Sequence, residues 1–137
     1  MKKLITSFAV IALFVATQAF QCNKGECNKD TMCTTEFRSI SVTITPGAGN
    51  TQPITIDVYD YNNDKFIRNN SAATVGGTNT YEIINDGDFG WLGKVNEFEK
   101  FRVDIKVGNN VVKSEDYMLG RDCCHVLLSS GNTNVIL

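Results

Sequence analysis

The chain has 137 residues, 42% of them hydrophobic, and its 13 Lys/Arg against 15 Asp/Glu give a formal charge of −2. Neither sign of charge gathers into a block, and the basic stripe that nucleic-acid binding needs is missing, which excludes that class of partner. This length suits one domain with a modest core, which covalent cross-links would help to hold.

The first residues, Met1-Lys2-Lys3, place two positive charges ahead of an apolar run from Leu4 to Ala16, broken only by Thr6 and Ser7. Small side chains at Thr17 and Ala19 follow, and this layout predicts a secretory signal over residues 1–19 with cleavage after Ala19. Loss of Lys2 and Lys3 takes the charge to −4. The polar tract Gln21-Cys22-Asn23-Lys24 arrives too soon for a membrane anchor, which needs about 20 apolar residues, so the mature chain is expected to have no transmembrane span. The short Lys-Lys start points to bacterial export, to the periplasm, the cell surface or the medium. A competing reading lipidates Cys22 as the first residue of a lipoprotein, but Gln21 stands where a small residue is needed.

Residues 20–34 form a polar arm holding Cys22, Cys27 and Cys33, with no sustained period of 2 or 3.6. The pattern changes in the domain that follows, residues 35–137. Arg38, Ile40, Val42 and Ile44 alternate with Phe37, Ser39, Ser41 and Thr43, as a half-buried strand does. After the break Pro46-Gly47-Ala48-Gly49-Asn50, Ile54, Ile56 and Val58 resume a buried face opposite Thr55, Asp57 and Tyr59. A turn at Asp60–Asp64, a short strand at Lys65–Arg68 and a polar connection over Asn69–Thr80 are expected next. Tyr81, Ile83 and Ile84 suggest a strand that ends in the turn Asn85-Asp86-Gly87-Asp88. Phe101, Val103, Ile105 and Val107 lead through Gly108-Asn109-Asn110 into Val111 and Val112, the clearest hairpin signal in the chain. Cys124–Ser129 and Thr133–Leu137 supply the last two strands. About seven or eight short strands separated by turns predict an all-β antiparallel sandwich in preference to an up-and-down barrel.

Arg121-Asp122-Cys123-Cys124-His125 is the most distinctive string. Adjacent cysteines on an extended strand point to opposite faces, so Cys123 and Cys124 are expected to reach separate partners among Cys22, Cys27 and Cys33, leaving one of the five cysteines over. A metal site on Cys123 and His125 is the sharper alternative, but the arm lacks the paired Cys-x-x-Cys spacing of zinc knuckles. A redox role for the vicinal cysteines lacks the same motif. His125 is the only histidine, so any catalytic triad rests on it, and no Gly-x-Ser-x-Gly elbow accompanies it; it reads as structural. Asp60–Asp64 begins like a calcium loop, yet Lys65 stands where glycine is required. Trp91, the only tryptophan, reads as core or half-buried, but exposed beside Tyr59, Tyr61 or Tyr81 it would offer a stacking surface for a sugar or a protein.

The Asp122-Cys123-Cys124-His125 string, behind a signal and a cysteine-containing arm, resembles small uncharacterised exported envelope proteins of Bacteroidetes type. The wider pattern is similar to their immunoglobulin-like or transthyretin-like sandwiches. That resemblance implies a fold and carries no active site. No nucleophile, base and orienting group assemble from the sequence, so the expectation is a non-enzymatic exported module without cofactor or metal, binding a protein or glycan at the cell envelope or serving a structural role there.

Overall fold

A computed structural model describes Cys27, residues 30–74 and residues 79–137. The expected signal peptide and Cys22 lie outside the described residues, as does much of the arm ahead of Asp30.

Eight strands build two sheets: β1 (Ser39–Thr45), β2 (Ile54–Asp60), β3 (Lys65–Ser71), β4 (Thr80–Asn85), β5 (Phe98–Val107), β6 (Asn110–Arg121), β7 (Val126–Ser130) and β8 (Asn134–Ile136). One sheet has the order β4-β1-β8 and the other β3-β2-β5-β6-β7. All neighbours are antiparallel except β1 and β8, which run parallel. The result is an all-β sandwich.

The alternation in sequence becomes the inner face of each sheet. Ile56 sits opposite Ile105 and Val58 opposite Val103, all fully buried. Val42 and Ile44 of β1, Tyr81, Ile83 and Ile84 of β4 and Val135 of β8 close the core from the other side. Each such side chain contributes roughly 1.5–3 kcal/mol on burial, which makes this interior the main source of stability. The β5–β6 hairpin turns at Gly108, whose φ of 61° suits glycine.

Several boundaries differ from expectation for local reasons. β3 continues to Ser71 because Asn70, at φ 52°, donates its N–H to Asp57 Oδ1 at 2.6 Å and so extends the pairing with β2. The Asn85–Asp88 turn is the start of a 3-10 helix, Asp86–Trp91, closed by a capping box in which the Asn85 and Asp88 side chains accept each other's local N–H groups. Cys123 and Cys124 lie in a bend and not on a strand: Asp122 Oδ1 accepts the N–H groups of Cys124 at 2.6 Å and His125 at 2.7 Å, so β7 starts only at Val126. At Gly131, φ 142°, the chain leaves the five-stranded sheet for β8; a Cβ there would overlap the buried ring of Tyr117, whose hydroxyl donates to Asn132 O at 2.5 Å.

Candidate functional site

Two assemblies stand at the end of the sandwich where β2 meets β3 and the arm joins β1. The first is the clip. Cys27 is bridged to Cys123 and Cys33 to Cys124, with Cα–Cα distances of 5.4 and 5.3 Å. Each of the adjacent cysteines therefore takes its own arm partner, through the bend instead of the two faces of a strand. Such bridges form and persist in oxidising compartments. The arm is held covalently and not by burial, since its described residues are all exposed, Met32 by 94%. With both sulfurs in disulfides, the thiolate that a zinc site on Cys123 and His125 would need is consumed. Among the described residues no group of three or more His, Cys, Asp or Glu is placed to hold a metal.

His125 is only 6% exposed. Its Nδ1 lies 2.9 Å from Asp86 Oδ2 and its Nε2 3.0 Å from the Thr34 hydroxyl. With the proton on Nδ1, the ring donates to Asp86 and accepts from Thr34. Asp86 also accepts the N–H groups of Arg38 and Val126, each at 2.8 Å. Burial, the largest single influence, pushes the Asp86 carboxyl up. The hydrogen bonds from His125, Arg38 and Val126, with the charge of the imidazole, outweigh it and hold the group below the usual carboxylate range. Hydroxyl, imidazole and carboxylate thus stand in the order of a catalytic triad. The N–H groups of Cys124, His125 and Val126 that could receive an oxyanion are already bonded to Asp122 and Asp86, so the assembly works as a lock between arm, 3-10 helix and β7.

The second assembly is aromatic, on the outer face of the five-stranded sheet. Tyr59 is flanked edge-on by Tyr61, with ring centroids 5.4 Å apart, and by Phe66 at 5.2 Å. Tyr61 and Phe66 are 41% and 46% exposed. Lys100 lies 5.0 Å from the Tyr61 ring and Arg102 4.9 Å from the Tyr59 ring. Both cations are anchored, Lys100 to Asp116 at 2.8 Å and Arg102 to Asp104 at 2.9 Å. The Tyr59 hydroxyl donates to Asp64, and that bond, with burial and the carboxylate charge, raises the phenol's pKa. The platform is therefore pre-set, its rings fixed by ion pairs and by the turn in which Asp60 accepts from Asn62 N at 2.8 Å and Asn63 Nδ2 at 2.6 Å.

Of the aromatic residues singled out from sequence, Tyr59 and Tyr61 come together. Tyr81 is buried in the core and is not a contact residue. Trp91 is half-buried at the end of the 3-10 helix, 5.3 Å from Lys65 Nζ. Lys65 pairs with the inward-facing Asp60 whereas Phe66 pairs with Tyr59, so Trp91 sits on the opposite side of the sheet from the tyrosines. Phe66 is the platform residue that sequence reasoning missed; a hairpin closed between Asp60 and Lys65 sets it against Tyr59.

The chain matches no protein-family model, no curated protein and no solved structure at a significant level.

Proposed function

We propose that this protein is exported from a bacterial cell through its N-terminal signal and acts there as a non-enzymatic binding module, an immunoglobulin-like or transthyretin-like sandwich of the cell envelope. The observation that carries the reading is the aromatic platform: Tyr61 and Phe66 stay exposed around Tyr59 while Lys100 and Arg102 hold the rings in place. Rigid, part-exposed aromatic rings contribute large contact area at little entropic cost, and their faces suit the C–H surfaces of sugars as well as protein side chains. The ligand favoured here is an envelope glycan. The lock around His125 and the two disulfides support the same reading, since they fix the end of the sandwich on which the platform stands.

The test is calorimetric titration of the protein with soluble peptidoglycan fragments and with neutral oligosaccharides. Loss of both exposed rings, in Tyr61→Ala with Phe66→Ala, should weaken binding about tenfold, at roughly 0.5–1.5 kcal/mol per ring. Equal binding by this variant would remove the platform as the binding surface. Heat uptake by none of the sugars would leave a protein ligand as the reading.

A further inference from the structure

β6 is 12 residues long, and its two sides are treated unequally. β5 pairs with it from Asn110 to Gly120, but β7 covers the other side only from Met118 to Arg121. The cause is the departure of the chain at Gly131 towards β8. Among the described residues, no strand pairs with the outer side of β6 between Val111 and Tyr117, and no loop backbone bonds to it. An extended row of unpaired N–H and C=O groups is a template for another strand.

We propose that this edge binds the same edge of a second copy of the chain. β6 and the partner's β6 run antiparallel about a two-fold axis at Ser114, and two five-stranded sheets become one continuous sheet. Directly opposed residues of an antiparallel pair share a face, so an axis perpendicular to the sheet must pass through a residue facing its own copy. An axis at Lys113 sets Lys113 against Lys113. An axis at Glu115 sets Glu115 against Glu115 and drives Val111 into the place already taken by β7. With the axis at Ser114, Lys113 faces the partner's Glu115 and Glu115 faces the partner's Lys113. The β5–β6 register shifts beside Val112, so the regular pairs are those from Lys113 to Glu115 of each copy, and they stop short of Met118, where β7 begins.

Within one chain Lys113 Nζ lies 3.5 Å from Glu115 Oε1, a partly exposed pair, and also donates to Ile136 O at 3.4 Å; the long contact with Glu115 can exchange for the two contacts across the axis. Charges on an edge strand normally discourage pairing. Here their order on β6 discourages a foreign strand or a shifted register while matching the chain's own copy, which makes the edge selective.

The experiment is sedimentation velocity of the purified protein from low micromolar to submillimolar concentration. The wild type should show a concentration-dependent dimer. Lys113→Glu and Glu115→Lys should each weaken it about tenfold, because the axis repeats every like-charge contact. The double variant Lys113→Glu with Glu115→Lys is self-complementary again and should dimerise as the wild type does. A wild type that stays monomeric throughout, a dimer that ignores either single reversal, or a folded double variant no better than the singles would overturn the proposal.

Discussion

Removing the two disulfides one at a time and then together should destabilise the protein by amounts that do not add. The Cys27–Cys123 bridge joins residues 96 apart in sequence, and a loop of that size restricts the unfolded chain by about 4.7 kcal/mol at 25 °C. Once it is in place, Cys33–Cys124 no longer closes its own separation of 91 residues. It closes only the small ring running from Cys27 to Cys33 and from Cys123 to Cys124, worth about 2.4 kcal/mol by the same relation. The order of formation is immaterial, so deleting either bridge alone, as Cys27→Ser with Cys123→Ser or Cys33→Ser with Cys124→Ser, should lose about 2.4 kcal/mol. Deleting both should lose about 7 kcal/mol, roughly 2 more than the two single deletions added together. Urea unfolding followed by far-ultraviolet circular dichroism measures all four proteins on one scale. If the four-site variant loses no more than the sum of the two pair deletions, the bridges restrict independent loops and the reasoning from shared closure fails.

Three further outcomes follow from particular contacts. Gly131→Ala sets a Cβ against the Tyr117 ring at a φ that side chains rarely adopt, and should lower unfolding free energy by about 3 kcal/mol; a loss under about 1 kcal/mol would show that the ring can move aside. Asp86 has a depressed pKa in the folded state, so its contribution is present above the unfolded carboxylate range and is lost as pH falls through the lower folded value. Urea midpoints at pH 7 and pH 3 should therefore converge in Asp86→Asn more than in the wild type, and an unchanged pH dependence would refute the role of the His125 lock. Burial pushes the Tyr117 phenol up to about 12, so stability is fully present below the ordinary tyrosine range near 10 and falls as pH rises towards 12. Tyr117→Phe should flatten that alkaline loss, measured by thermal melts between pH 9 and 11.

The strands were legible in the sequence because each depends on its own alternation: Ile54, Ile56 and Val58, or Phe101, Val103 and Ile105, need no knowledge of their partners to be placed on a buried face. The two bridges were legible as a class, since cysteines gathered near residues 22–33 and again at Cys123 and Cys124 suit disulfides in an oxidising compartment. What stayed hidden depends on contacts across the fold. Asp57 reads as a solvated strand residue, yet it is buried, paired with Lys106 and bonded to Asn70 N. Arg68 gives no local sign that it will reach Glu82 at 2.8 Å and Asp88 at 2.6 Å. The bend at Cys123 was missed because Asp122 competes with strand hydrogen bonding through its own side chain, a choice the neighbouring Val126-Leu127-Leu128 run conceals. Thr34, His125 and Asp86 are far apart in sequence: the 3-10 helix sets Asp86 against His125 and Val126, and the arm's attachment adds Thr34.

The parallel partnership of β1 and β8 bears on the order of events during synthesis. β1, the middle strand of its sheet, is made early, at Ser39–Thr45, but one side of it stays open until Thr80–Asn85 emerges and the other until Asn134–Ile136 emerges. Val135, which plugs the core, comes with that last segment. Pairings so distant along the chain form slowly, because the closure entropy is spent before the contacts return anything. A polypeptide whose earliest strand waits for its last one cannot lock into its final shape until residues 134–136 have been made. Completion of the three-stranded sheet, and with it the closing of the core by Val135, is therefore among the last events of folding.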